Sequence, residues 1–208
     1  MKTSSKPAHR GYLMNVGEFN TLKYYPDIID KIINQVEALL TYHSRITVIR
    51  LDLKFPVDSR HSVTIENQML SHFIKLIKEN LSLKRWGSHS RVIHTWVLEK
   101  NRENDNHYHV MIGFKHTQLS LGCFDIDAPS GLIEVFRRCA SKAFKGSVYF
   151  AGSHTVNRAC RNEIQNCIYH LSYMAKTRTK IFKTNETHRR FSSSELRPIP
   201  APQIQDAA

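Results

Sequence analysis

The sequence predicts an α+β domain: a mainly antiparallel sheet with packed helices, similar to a split βαβ, ferredoxin-like unit. Three observations carry this. Apolar residues alternate at period two in four stretches and recur at three- and four-residue spacing in four others. The segments run helix, strand, helix, strand, strand, helix, strand, helix, and the two central strands are joined by a polar tract that suits a hairpin.

After a polar leader, Pro26 and Asp27 precede an apolar stripe from Ile28 to Leu40 at helical spacing, which predicts the first helix. Arg45 to Phe55 (RITVIRLDLKF) alternates branched apolar residues with polar ones and is stopped by Pro56, as a strand would be. Ser62 to Leu83 places Ile65, Met69, Phe73, Ile77 and Leu81 on one face of a second helix. Arg91 to Lys100 and His107 to Phe114 read as strands flanking the polar tract Asn101 to Asn106. A loop holding Gly122, Asp125, Asp127 and Pro129 leads to a helix over Leu132 to Phe144, a strand over Gly146 to Gly152, and a last helix from about Asn157 to Lys176. Beyond Thr184 the chain is polar and proline-containing, and a disordered tail over 184–208 is expected. The organisation expected is a leader and helix over 1–44, one catalytic domain over 45–183, and that tail.

The 208 residues carry 30 Lys and Arg against 18 Asp and Glu, a net charge of +12 that favours a polyanionic partner. Residues 177–208 hold six of the basic residues and three of the acidic ones, so most of the excess belongs to the body of the chain. Cys123, Cys139, Cys160 and Cys167 form no closely spaced pair, so neither a zinc ribbon nor a disulfide framework is suggested. No signal-peptide pattern opens the chain and no apolar run approaches the roughly 20 residues of a membrane span, so a cytoplasmic protein without a membrane partner is expected. No G-x-x-x-x-G-K-[ST] loop occurs, so helicase activity is not suggested.

His107 and His109 stand two apart on a strand, so both imidazoles leave the same face and can converge on one ion. Taken alone, such a pair also describes two surface histidines. Glu99 closes the preceding strand, and a register pairing 99 with 107 would set its carboxylate beside the imidazoles, whereas a slip of one residue would send it to the opposite face. Asp52 on the first strand is either a second carboxylate of this group or an ordinary polar-face aspartate. Two imidazoles and a carboxylate with open positions suit Mg or Mn in phosphoryl chemistry better than a closed structural zinc. In YHLSYMAK, Tyr169, Tyr173 and Lys176 fall within roughly 60° of arc on a helix, away from Ile164, Cys167, Ile168 and Leu171. A phenol needs help to act as a nucleophile, and a cation nearby supplies it by favouring the phenolate.

These residues resemble the motifs of the HUH endonuclease superfamily: histidines around one residue on a strand (His107, Tyr108, His109 in NHYHVMIGF) and tyrosines with lysine on a helix (Tyr169, Tyr173, Lys176). The Tyr-x3-Tyr-x2-Lys spacing is similar to two-tyrosine rolling-circle initiators, and residues 45–184 resemble the filamentous-phage (inovirus) gene II-type replication initiators, in a prophage-encoded member. Tyr108 in place of an aliphatic residue departs from that pattern. The resemblance implies an HUH/Rep-like fold and a divalent ion on Glu99, His107 and His109. It also implies attack by Tyr173 on single-stranded or hairpin DNA to leave a 5′-phosphotyrosine and a 3′-hydroxyl, with Tyr169 rejoining the strand and a host helicase and polymerase as partners. Two other readings stand beside it. One is a non-catalytic nucleic-acid-binding domain of a degenerate prophage gene, with Tyr24, Tyr25, Trp86 and Trp96 stacking on bases; the other is a metal-dependent phosphodiesterase that activates water.

Overall fold

A computed structural model of the chain describes residues 1–18, 21–56, 61–100, 106–117, 121–122, 130–177 and 189–200. The expected hairpin turn at 101–105, Cys123, the loop over 123–129 and the tail residues 184–188 and 201–208 lie outside them.

The leader is not featureless. Strands β1 (Ala8–His9) and β2 (Tyr12–Leu13) pair through a turn at Arg10 and Gly11, both at positive φ. Helix α1 (Pro26–Tyr42) starts with proline in its first turn, where the missing N–H costs nothing, and Asp27 beside it suits the helix dipole. After strand β3 (Arg45–Lys54), helix α2 (Val63–Ser82) is capped by Ser62, whose hydroxyl accepts from the Ile65 N–H. Strands β4 (Ile93–Lys100) and β5 (Asn106–Lys115), helix α3 (Gly131–Phe144), strand β6 (Ser147–Asn157), helix α4 (Arg161–Ser172) and strand β7 (Phe191–Ser193) follow.

The five longer-range strands form one antiparallel sheet in the order β6-β3-β5-β4-β7. This is the α+β architecture expected. Helices α2 and α3 cover one face, packing on residues such as Leu51, Leu53, Leu98, Val110 and Ile112. Helices α1 and α4 and the N-terminal segment cover the other, on Ile46, Val48, Val97, Met111 and Val156. Tyr12, Met14, Val16 and Tyr24 belong to this second core, so the leader and the chain from Arg45 onward share one packed interior.

Three boundaries differ from expectation. Strand β6 runs on to Asn157 because β3 offers it a partner as far as Arg45. Helix α4 therefore starts at Arg161, and it stops at Ser172, followed by one 3-10 turn over Tyr173–Ala175. Lys176 leaves the helix and pairs with Tyr24, while the Thr177 N–H donates to the Lys23 carbonyl and the Tyr25 N–H to that of Ala175. The N-terminal segment thus captures the chain as it leaves α4. Residues 191–193 are a sheet strand rather than tail: β7 pairs with β4, and the buried Gln35 amide accepts from Ser194 Oγ at 2.5 Å and the Leu196 N–H at 3.1 Å. A buried amide needs such partners, and the tail supplies them.

Candidate active site

Strand β3 reads Ile46, Val48, Arg50, Asp52 and Lys54 on its α1/α4 side, apolar where the helices cover it and charged beyond. The neighbouring strands change in the same way, and register makes the changes meet. Asp52 is opposite His109, and Glu99 is opposite His107. The hairpin thus has the register that keeps Glu99 on the histidine face. Tyr108, between the histidines, points the other way into the α2/α3 core, where its hydroxyl donates to the Glu66 carboxylate at 2.9 Å. Burial, then the adjoining Glu66 charge, pushes the Tyr108 phenol far above its ordinary value. It is a core residue and no nucleophile.

His109 is 2% exposed and lies between two carboxylates: its Nδ1 is 2.7 Å from Asp52 Oδ1, and its Nε2 faces Glu99 Oε2. The ring of His107 stands 4.8 Å from that of His109. Ligand atoms of Asp52, His107 and His109 lie within 4.8 Å of one another. With the Nδ1 proton given to Asp52, His109 turns an Nε2 lone pair toward a carboxylate oxygen, an arrangement that calls for a proton or a cation between them. Asp52, His107 and His109 are placed where they could hold a divalent ion, and with Asp52 kept on Nδ1 the Glu99 carboxylate could stand in its place. Burial works against ionisation of Asp52, but the His109 hydrogen bond and charge, then Arg50, outweigh it and hold the carboxyl below its ordinary range. Burial, followed by the His109 charge, lowers the His107 imidazole, favouring the neutral form a metal needs.

Tyr173 comes to this cluster; Tyr169 does not. The Tyr173 ring meets His109 edge-on at 5.7 Å, with the Arg50 guanidinium 4.4 Å and the Lys176 ammonium 4.3 Å from its centroid. Tyr169 is 44% exposed, and no hydrogen bond or ring contact ties its side chain to the cluster among the described residues. Because Tyr173 sits in a 3-10 turn and Lys176 is extended, the expected helical arc of three residues is not formed. Lys176 reaches the ring from the captured segment instead.

Arg50 was missed in the sequence, although a charged residue at the alternate position to Asp52 in a buried strand was a signal. It is 8% exposed and donates from Nη2 to Asp52 Oδ2 at 3.2 Å, while its buried Nε has no hydrogen-bond partner among the described residues. A β-bulge separates Arg50 from Leu51 against β6, a device that re-aims side chains beside sites. His154 and His170, also unassigned in the sequence, contact each other at 2.9 Å, and a Cβ at Gly152 would meet the His170 ring at 2.8 Å. Tyr24, Tyr25 and Trp96 are 1%, 8% and 4% exposed and fill the two cores, so they are not base-stacking platforms. His94 lies on the α2/α3 side with Trp96, away from the cluster.

Fold and site together define an antiparallel α+β domain with a histidine–carboxylate cluster and a tyrosine held against it by two cations. The model of the YagK/YfjJ C-terminal domain matches residues 13–194, and the chain belongs to that family. The match runs from β2 to just past β7. No curated protein and no solved structure matches the chain. No helix among the described residues is long and apolar enough to cross a membrane.

Proposed function

We propose that the chain nicks and rejoins DNA strands by metal-dependent tyrosine transesterification, as an HUH-type endonuclease serving rolling-circle replication of a phage or prophage element. The observation that carries this reading is the placement of Tyr173, edge-on to His109 and flanked by Arg50 and Lys176.

Glu99, His107 and His109 would hold Mg or Mn, with Asp52 orienting His109; when bound, such an ion polarises the phosphate under attack. Tyr173 Oη forms a bond to phosphorus as the bond from phosphorus to the 3′-oxygen breaks. The phenol loses its proton to solvent and the departing oxygen gains one, leaving a 5′-phosphotyrosine and a free 3′-hydroxyl. Reversal by a 3′-hydroxyl rejoins the strand. Lys176 and Arg50 neutralise phosphate charge, and the Arg50 Nε, without a hydrogen-bond partner among the described residues, offers a donor to a phosphate oxygen. Exposed Tyr169 is left for the second transfer. The substrate is single-stranded or hairpin DNA, and unwinding falls to a host helicase.

Labelled single-stranded and hairpin DNA, incubated with Mn or Mg and run on a denaturing gel, tests the reading. A metal-dependent protein–DNA adduct is expected in the parent and lost in Tyr173→Phe and in His107→Ala/His109→Ala. Loss in Tyr169→Phe with retention in Tyr173→Phe would exchange the two roles. Cleavage without an adduct would favour water as nucleophile, and no cleavage of any strand would leave a nucleic-acid-binding domain.

A further inference from the structure

The cluster does not end the polar part of its sheet face. Two residues beyond Asp52, Lys54 lies on the same side of β3, opposite His107 on one flank and Ser147 on the other. It is exposed and has no ion pair among the described residues. Opposite Asp52 on β6 is Tyr149, and directly opposed residues of antiparallel strands share a face with Cβ atoms about 5 Å apart. Tyr149 is 70% exposed, the most open large hydrophobic side chain of the described residues, while its neighbours Val148 and Phe150 turn inward to pack on the α2/α3 core. An aromatic ring left in water in this way gains nothing for the fold. It also lines a groove of about 620 Å³ along the β6 edge that Arg137 of α3 and Phe150 border.

We propose that Tyr149 and Lys54 form a single-strand track leading from the cluster to the β6 edge: Tyr149 stacks on an unpaired base next to the scissile phosphate, and Lys54 contacts the adjacent backbone phosphate. The occupant is single-stranded DNA rather than a duplex, because only an unpaired base frees a face for an aromatic ring. Charge agrees, since Arg50 and Lys54 stand on that face of β3 in a chain of net charge +12. The track rests on the nicking reading for its substrate, but it makes a claim about binding that needs no chemistry.

Binding of fluorescein-labelled single-stranded oligonucleotides to the full chain, followed by anisotropy in EDTA so that no strand is cut, provides the test. Stacking of one base is worth about 1–3 kcal/mol, so Tyr149→Leu should weaken binding roughly 5- to 150-fold while Tyr149→Phe stays within about threefold of the parent. Lys54→Gln should flatten the slope of log affinity against log salt by about 0.7, the value for one phosphate contact on a single strand. Affinity for a blunt duplex should not respond to Tyr149→Leu. Equal single-strand affinity of Tyr149→Leu and parent overturns the track, even if the parent forms the phosphotyrosine adduct. Tyr149-dependent binding without any adduct keeps the track and removes the nicking reading. A parent that binds no single strand removes both.

Discussion

The two faces of the sheet are built from the same strands, one residue out of phase, and they have opposite characters. Toward α2 and α3, β3 presents Ile49, Leu51 and Leu53 and β5 presents Tyr108, Val110, Ile112 and Phe114, without a charged residue in either set. Toward α1 and α4 the same antiparallel strands are apolar at one end of the face and carry Arg50, Asp52, His107 and His109 at the other. On β3 and β5 the packed face can be this apolar because two helices span it. The other face is covered along part of its length, and where cover ends the strands carry groups that are costly to bury unpaired, each held by another: Asp52 by Arg50 and His109, His109 by Glu99. Stability and the proposed chemistry are thus separated by the pleat of the strand rather than by distance along the chain.

The largest expected effect breaks the packed face. Phe136 of α3 is fully buried there, and Phe136→Ala should cost about 3–5 kcal/mol in urea unfolding through lost burial and the cavity left. Removing the Tyr173 hydroxyl on the other face should cost no more than about 1 kcal/mol. Comparable losses from the two changes would mean that the faces do not divide the work as described.

Next in size is a charge effect on the packed face itself. His94 stands on that side near Lys78, and burial, with the Lys78 charge adding to it, lowers its pKa from 6.5 to about 4. The imidazole folds neutral, so its contribution is fully present above pH 6.5. It is lost as pH falls from 6.5 toward 4, where the unfolded chain takes up a proton and the folded one does not. The full loss, reached near pH 4, is on the order of 3 kcal/mol. Urea midpoints of the parent should fall across this window, and His94→Gln should flatten that part of the profile; parallel profiles would show that His94 is solvated.

How much of this was legible in the sequence follows the range of the interactions involved. The alternation of Arg45–Lys54 and the helical spacing of Val63–Ser82 are local patterns, and both elements stand within a residue or so of where they were read. The pairing of Glu99 with His107 was one of two registers the sequence left open, since register depends on the whole hairpin. The end of α4 was not legible, because Lys23 to Tyr25, some 150 positions away, draw the chain out of the helix. Strand β7 is three residues in a serine-rich stretch, stabilised by β4 and Gln35 rather than by its own propensity. The burial of Tyr24 and Tyr25 was hidden for the same reason: a polar leader gives no local sign that it closes a core. Arg50 was visible as a charge but not as part of the cluster, because only the sheet brings it to Tyr173.

The smallest effect tests whether the uncovered end gives up stability for its chemistry. Lys176 is lowered by burial and then by the Arg50 charge, with Glu99 opposing, so its ammonium is held where it is less favoured than in water. Its backbone, by contrast, holds the pairing with Tyr24 and the bond to the Tyr173 carbonyl, and these do not depend on the side chain. Lys176→Met keeps an unbranched stem of similar length and removes the charge. Its unfolding free energy in urea should therefore equal that of the parent or exceed it by less than about 1 kcal/mol, the usual sign of a group kept for activity rather than stability. The same variant should form the DNA adduct at least about tenfold more slowly, about 1.4 kcal/mol in the barrier, since a cation that would neutralise charge on the attacked phosphate is lost. A loss of stability beyond about 1 kcal/mol with adduct formation unchanged would make Lys176 a structural residue, and the line between the two faces would then lie one residue closer to Tyr173.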